Sequence, residues 1–180
     1  MTAFFSNLFG NGMWQTYLEA VLLTLKITVI GTAISYIIGI PLGVLLYGTA
    51  AGSLFENRWV NTIVGVVVNV LRSVPFIILL VMTQPIAKAI VGSKIGNNAF
   101  IVYLVLAAAP FVARMIESSF KEVDPGVIEA AQSMGSTNIQ IIFKVLIPEA
   151  KPSLIVGAAI ALTTILGYTP MTYLIAGGGL

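Results

Sequence analysis

The side chains that most often catalyse reactions or bind metals are scarce in this sequence. Its 180 residues include no cysteine and no histidine, which removes thiolate nucleophiles, disulfides and the commonest metal ligand and general base. The closest approach to a phosphate-binding loop, Gly92-Ser93-Lys94, lacks the first glycine and the spacing of that motif. We therefore predict a protein that is not an enzyme and that binds no metal, cofactor or nucleotide of its own.

Three charged residues have a spacing typical of ion pairing. Arg114, Glu117 and Lys121 lie three and four residues apart, so on a helix they share one face and can form salt bridges. One interpretation is a helix that emerges into water and is stabilised by these pairs. The other is that the same charges help to bind a partner subunit.

Arg72 is isolated within an apolar run that also contains Pro75. A central arginine costs about 2.5 to 3.5 kcal/mol on membrane-insertion scales, so such a residue faces protein or water and not lipid. Two roles are compatible with this position. Arg72 lines or braces a pathway, or it binds the carbonyl groups that Pro75 leaves without a donor.

The composition is that of an integral membrane protein. Hydrophobic residues make up 58% and charged residues 9% of the chain, at a mean hydropathy of +1.00, whereas soluble domains are roughly 25% charged. The net charge of +2 reflects scarce charge and implies no nucleic-acid partner. We predict an all-α, polytopic transmembrane helix bundle in a lipid bilayer, a single domain over residues 1–180. The predicted spans are about 15–47, 60–82, 99–116 and 152 onward.

Small residues recur along the first predicted span. Gly31, Ser35, Gly39 and Gly43 lie at every fourth position, which places them on one helix face where another helix can approach closely. The sequence does not decide whether that helix belongs to the same chain or to a second copy.

A polar segment interrupts the apolar spans after residue 122, and we call residues 125–148 the elbow. Asp124 can cap a first helix, Pro125 suits its first position, and Gly135 can end it in a left-handed conformation. Thr137 with Gln140 matches a capping box for a second helix running toward residue 146, and Pro148 would mark the next break. We predict two short helices at an angle. An apolar stripe on the first would offer a docking surface, made of Val127, Ile128, Ala131 and Met134.

The distribution of positive charge predicts the orientation. The loops around residue 58 and over 114–151 contain five Lys or Arg residues, against two in the loop over 84–98. The positive-inside rule therefore places the elbow in the cytoplasm.

The elbow also carries a family resemblance. Glu129-Ala130-Ala131, Gly135 and Val145-Leu146-Ile147-Pro148 resemble the EAA loop of ABC-transporter importer permeases, written EAA, three residues, G, nine residues, I-x-L-P. Val145 replaces the usual isoleucine. The strings RSVPFIILLV, AAPFVARMIES, VIEAAQSMG and GYTPM are similar to the methionine-type subfamily of D,L-methionine importers, and the similarity extends over 14–180.

This resemblance implies a function and a set of partners. The elbow would be the coupling helix in a cleft of a separate ABC ATPase subunit, which binds ATP and Mg²⁺. A second permease copy and an extracytoplasmic substrate-binding protein would complete an importer in the bacterial cytoplasmic (inner) membrane. Relatives continue past the matching GGGL with at least one more helix, so we expect the chain to be C-terminally incomplete. The ATPase-coupling residues would be Glu129, Ala130, Ala131, Met134, Gly135 and Pro148.

The last predicted span becomes polar and easily bent after Gly167. Tyr168 and Met171 match the segment that lines the pathway in methionine-type permeases, so together with Arg72 they are candidate pathway residues. Pro170 and Tyr173 depart from the small residues usual there. Met171 is equally compatible with core packing. Two other function classes remain open, a passive channel or secondary carrier and a structural scaffold subunit.

Overall fold

The computed structural model describes residues 13–179, which form a bundle of helices. Helix α1 spans Met13–Gly48, α5 spans Asn97–Lys121, and α9 spans Lys151–Tyr168 and continues as a 3₁₀ helix over Thr169–Ile175. Each of these three is long and apolar enough to cross a membrane. Between α1 and α5 lie α2 (Arg58–Ser73), α3 (Phe76–Met82) and α4 (Gln84–Val91).

The predicted second span, 60–82, is not one straight helix. Helices α2 and α3 meet at an angle of 111°. Val74 has extended backbone angles, as expected for a residue before proline, and Pro75 precedes the first turn of α3. The span predicted over 60–82 is therefore interrupted at Pro75, where the chain turns sharply.

Contacts between distant loops show which loops share an end of the bundle. At one end, the Asn138 side-chain amide donates a hydrogen bond to the Leu54 carbonyl at 2.6 Å. At the other, the Gly178 amide donates to Asn97 Oδ1 and the Gly96 amide donates to the Ile175 carbonyl, both at 2.9 Å. The chain from α2 to α4 thus passes from one end of the bundle to the other. This connection is the second of the four predicted crossings.

The small-residue face of α1 packs against α5 of the same chain. A Cβ atom on Gly39 would lie 2.5 Å from Val112 Cγ1, and one on Gly43 would lie 2.7 Å from Ile116 Cβ. Glycine at these positions is therefore required by the close approach of the two helices. The predicted packing face lies inside the subunit.

Helix α5 is the centre of the fold. In the half of α5 near Asn97, Phe100, Tyr103 and Leu104 are fully buried and form a core with Ile165 of α9, which we call the upper core. The half near Lys121 contributes to a second core, the lower core, which consists of Val112, Ile116, Phe120, Val123, Leu146, Ala150 and Ala161. Helix α5 therefore contacts the other spans, the elbow and the bend at Pro75, and it positions all of them.

Candidate functional site

The first helix of the elbow begins and ends as the sequence predicts. Helix α6 spans Pro125–Ser133, and Asp124 Oδ1 accepts a hydrogen bond from the Gly126 amide at 2.8 Å. Gly135 adopts a left-handed conformation with φ of +76°, and its amide donates to the Gln132 carbonyl at 2.9 Å. The side chain at the cap and the glycine at the end fix the length of α6.

The second helix of the elbow starts from the predicted capping box. Helix α7 spans Asn138–Ile141, Thr137 Oγ1 accepts from the Gln140 amide at 3.3 Å, and Gln140 Oε1 accepts from the Thr137 amide at 2.9 Å. Two backbone donors at this terminus are therefore satisfied within the elbow.

The backbone after α7 differs from the prediction of a helix running toward residue 146. Residues Ile142–Leu146 form a π-helical turn, followed by α8 over Ile147–Glu149. Pro148 has no amide hydrogen to donate to the carbonyl four residues earlier, and a widened turn relieves the clash of its ring. Helical structure continues through Pro148 to Glu149, and the turn residue Ala150 separates it from α9, so the break predicted at Pro148 lies two residues later.

The elbow is attached to the bundle by buried apolar side chains. Leu146 is fully buried in the lower core beside Phe120 and Val123, and Ile128 packs against the same core. A cavity of about 360 Å³ separates the elbow from the loop over 49–57, lined by Tyr47, Ala50, Ala51, Gly52, Ser53, Leu54, Lys121, Pro125, Ile128, Glu129 and Gln132. The elbow is therefore packed on α5 through Leu146 and Ile128, and it is separated from the loop over 49–57 by this cavity.

The predicted apolar stripe is turned inward at its middle. Ala131 is 3% exposed, so its methyl group packs against the protein and cannot meet a partner directly. Met134 is 79% exposed, and Glu129, Ala130, Gly135 and Pro148 are also exposed. Of the six predicted coupling residues, five face outward and Ala131 supports them from below.

Two further exposed apolar residues were missed by the sequence analysis. Ile139 is 69% and Phe143 is 66% exposed, and both lie in the second half of the elbow. Their spacing of four residues was the available signal, since it places both on one helix face. We call Met134, Ile139 and Phe143 the outer apolar patch.

The three charged residues of α5 form the predicted salt bridges. Glu117 is 6% exposed; its Oε2 lies 2.6 Å from Arg114 Nη1 and its Oε1 lies 2.7 Å from Lys121 Nζ. Arg114 Nη2 also donates to the Gly65 carbonyl at 3.2 Å. The cluster therefore joins α5 to α2, in addition to stabilising the end of α5.

The structure brings together two of the three candidate pathway residues. Arg72 and Tyr168 line one cavity of about 170 Å³ beside the bend between α2 and α3. Met171 lies apart from this lining, partly buried against the upper core. The Arg72 side chain makes no hydrogen bond or ion pair within residues 13–179, so it does not bind the carbonyl groups near Pro75 there. No metal-binding cluster of three or more Asp or Glu side chains occurs in the same residues.

Comparison with known proteins identifies relatives of this architecture. Residues 39–180 match the family described as binding-protein-dependent transport system inner membrane component. The chain is 48% identical over 175 residues to the probable D-methionine transport system permease protein MetI of Vibrio cholerae, covering 97% of this chain and 74% of that protein. It is 46% identical over 136 residues to the methionine import system permease protein MetP of Bacillus subtilis, covering 76% and 61%.

Solved structures of ABC transporters also match this chain. A chain of the MetNI methionine ABC transporter in an inward-facing conformation matches with a TM-score of 0.91 at 43% identity, covering 94% of this chain and 79% of that one. An amino acid ABC transporter crystallised with histidines matches with a TM-score of 0.70 at 21% identity, which shows the shared fold. The chain belongs to the family of binding-protein-dependent transport system inner membrane components, the membrane-spanning permease subunits of ABC transporters.

Proposed function

We propose that this chain is the permease subunit of an ATP-driven importer of methionine or a closely related amino acid. Support comes from relatives at 48% and 46% identity that are named as methionine transport permeases. The observation that carries the coupling mechanism is the elbow, a capped pair of helices that holds the outer apolar patch away from the bundle while Leu146 fixes it to α5. A rigid arm of this kind can transmit a partner's movement to the spans.

The proposed assembly follows from the same surfaces. The elbow binds a separate ATPase subunit that holds ATP and Mg²⁺, and the spans form a single membrane domain over 1–180 in a bacterial cytoplasmic membrane. A second permease copy completes the pathway, and a substrate-binding protein delivers the amino acid from outside. Since α5 already fills the small-residue face of α1, the second copy packs against a different surface.

Transport into sealed proteoliposomes tests this proposal. Permease and ATPase are reconstituted with the binding protein, and uptake of radiolabelled methionine is measured with ATP or a non-hydrolysable analogue on the ATPase side. We expect uptake of methionine with ATP and no uptake with the non-hydrolysable analogue. Uptake that is independent of nucleotide would identify a channel or secondary carrier, and absence of uptake of any amino acid would identify a scaffold.

Cross-linking of the intact complex tests the second copy. A permease dimer is expected for every complex that contains two ATPase subunits. Recovery of the permease only as a monomer from an active complex would contradict the proposed assembly.

A further inference from the structure

The cavity beside the bend between α2 and α3 combines one positive charge with apolar walls. Its polar side chains are Arg72, Thr164 and Tyr168, and its apolar surface includes Phe76 and Phe111. The Phe76 and Tyr168 rings stack with centroids 4.7 Å apart and planes 11° from parallel, which fixes one wall. The volume of about 170 Å³ accommodates several groups the size of a water molecule, each of about 30 Å³.

Arg72 lies deep along its span. It is near the end of α2, about 21 Å along the axis from Arg58 at roughly 1.5 Å per residue. The hydrocarbon layer is about 30 Å thick, so this guanidinium is placed where a charge without a partner is unfavourable. Within residues 13–179 no carboxylate binds it, whereas the buried Glu117 is already shared by Arg114 and Lys121. Arg72 is exposed on the described surface, so its guanidinium is free to bind an anion that comes from outside these residues.

The bend also supplies acceptors for a positive group. Leu71 lines the same cavity, and the residue four positions later is Pro75, which has no amide hydrogen for the Leu71 carbonyl. The Tyr168 hydroxyl makes no hydrogen bond to the described residues. One cavity is therefore lined by a residue with a guanidinium and by two residues with an unpaired acceptor, a combination that suits a molecule carrying both a carboxylate and an ammonium group.

We propose that this cavity binds the transported amino acid during passage, with Arg72 holding its α-carboxylate. The inference rests on the proposed function, because it assigns a site to the substrate of that importer. The guanidinium binds a carboxylate through two parallel hydrogen bonds, the ammonium group is held by the Leu71 carbonyl and the Tyr168 hydroxyl, and the apolar side chain packs on Phe76 and Phe111. A requirement for the α-carboxylate of a free amino acid distinguishes this site from one for a phospholipid headgroup whose anion is a phosphate.

Direct binding to the permease–ATPase complex, without the substrate-binding protein, tests the site. Radiolabelled methionine is titrated against the wild type, Arg72→Gln, Arg72→Lys and the control Lys88→Gln, which removes an exposed charge at the opposite end of the bundle from the elbow. Methionine that binds elsewhere in the complex should bind the wild type and the three variants equally, so it does not affect the comparison. We expect Arg72→Gln to raise the Kd about 10- to 100-fold, as for loss of a charged hydrogen-bonding group. Arg72→Lys should lie between the two, because lysine offers a point charge without the paired geometry.

A second readout uses only the wild type. Methioninol, which lacks the carboxylate, should compete with methionine far more weakly than unlabelled methionine does. Equal binding by the wild type and Arg72→Gln, including no binding by either at millimolar methionine, or equal competition by methioninol, would overturn the site. A change only in co-purified phospholipid would instead assign Arg72 to a lipid headgroup and also overturn it. ATP-driven uptake by the wild type is measured in parallel, so failure of the importer and failure of the site give different results.

Discussion

The side chain of Val112 occupies the space in which Gly39 would carry a Cβ atom, at 2.5 Å from Cγ1. At this point the close approach of α1 and α5 therefore depends on residue 39 having no side chain. Gly39→Ala should lower the free energy of unfolding by about 1 to 3 kcal/mol, the usual effect of overpacking. Thermal unfolding of the purified protein in detergent measures it. Gly31→Ala is the matched control, since its Cβ would meet Leu104 at an ordinary 3.6 Å. Equal unfolding temperatures for the two variants would contradict this account.

The joint of the elbow depends on the left-handed conformation of Gly135. Gly135→Pro should abolish co-purification with the ATPase, because proline fixes φ near −65° and removes the amide that donates to Gln132. Gly135→Asn should retain most binding, since asparagine tolerates this conformation. Unaltered co-purification of the proline variant would show that the joint is not needed.

A charge at the buried Ala131 should also abolish binding of the ATPase, by displacing the elbow from the bundle.

The outer apolar patch should bind the ATPase directly. Met134→Ser should weaken association about 10-fold without changing the unfolding temperature, because the side chain is 79% exposed. Pull-down at graded ATPase concentrations gives the affinity. Ile95→Ser, at the other end of the bundle and 61% exposed, is the control and should bind normally. Equal affinities for both variants would place the contact elsewhere.

The charge cluster of α5 should respond unequally to loss of its members. Glu117→Gln leaves Arg114 partly buried without its anion, and breaking such a pair costs about 3 to 5 kcal/mol. Lys121→Gln removes a side chain that is 59% exposed and should cost no more than about 1 kcal/mol. Thermal unfolding of both variants tests the difference. Similar losses would mean that Glu117 is paired mainly with Lys121.

Met171 is either a residue that closes the pathway or a residue that only packs in the core, and substitutions distinguish these two roles. If it closes the pathway, Met171→Ala should raise leak or basal ATP turnover while ATPase binding stays intact. The chain contains no cysteine, so Met171→Cys provides a single label whose reaction with a water-soluble thiol reagent should depend on nucleotide. Normal transport by Met171→Ala, together with no labelling in any nucleotide state, would assign the residue to the upper core it contacts.

Features that depend on neighbouring residues were predictable from the sequence. The cap at Asp124, the left-handed Gly135 and the box formed by Thr137 and Gln140 each need only a few residues of context, and the structure confirms all three. The salt bridges of Glu117 follow from helical spacing in the same way.

Features that depend on tertiary packing were not predictable. The spacing of Gly39 and Gly43 indicates a close helix contact but does not name α5 as the partner. Ala131 lies on the same predicted stripe as Met134, and only the position of the lower core shows that one is buried and the other exposed. The angle of the bend at Pro75 and the π turn before Pro148 likewise depend on what the chain packs against.

The hydrogen bond from Asn138 to the Leu54 carbonyl joins residues that leave the ribosome far apart in time. The loop over 49–57 is made before α2 to α5, and its partner appears only after α5 has been synthesised. During that interval the loop has α1 and its own turn for support, in which the Glu56 carboxylate accepts from the Gly52 amide at 2.9 Å. The surface formed by the loop over 49–57 and the elbow is therefore completed in one step, when the elbow emerges. An ATPase that recognises both segments would bind only chains whose first three crossings are already inserted.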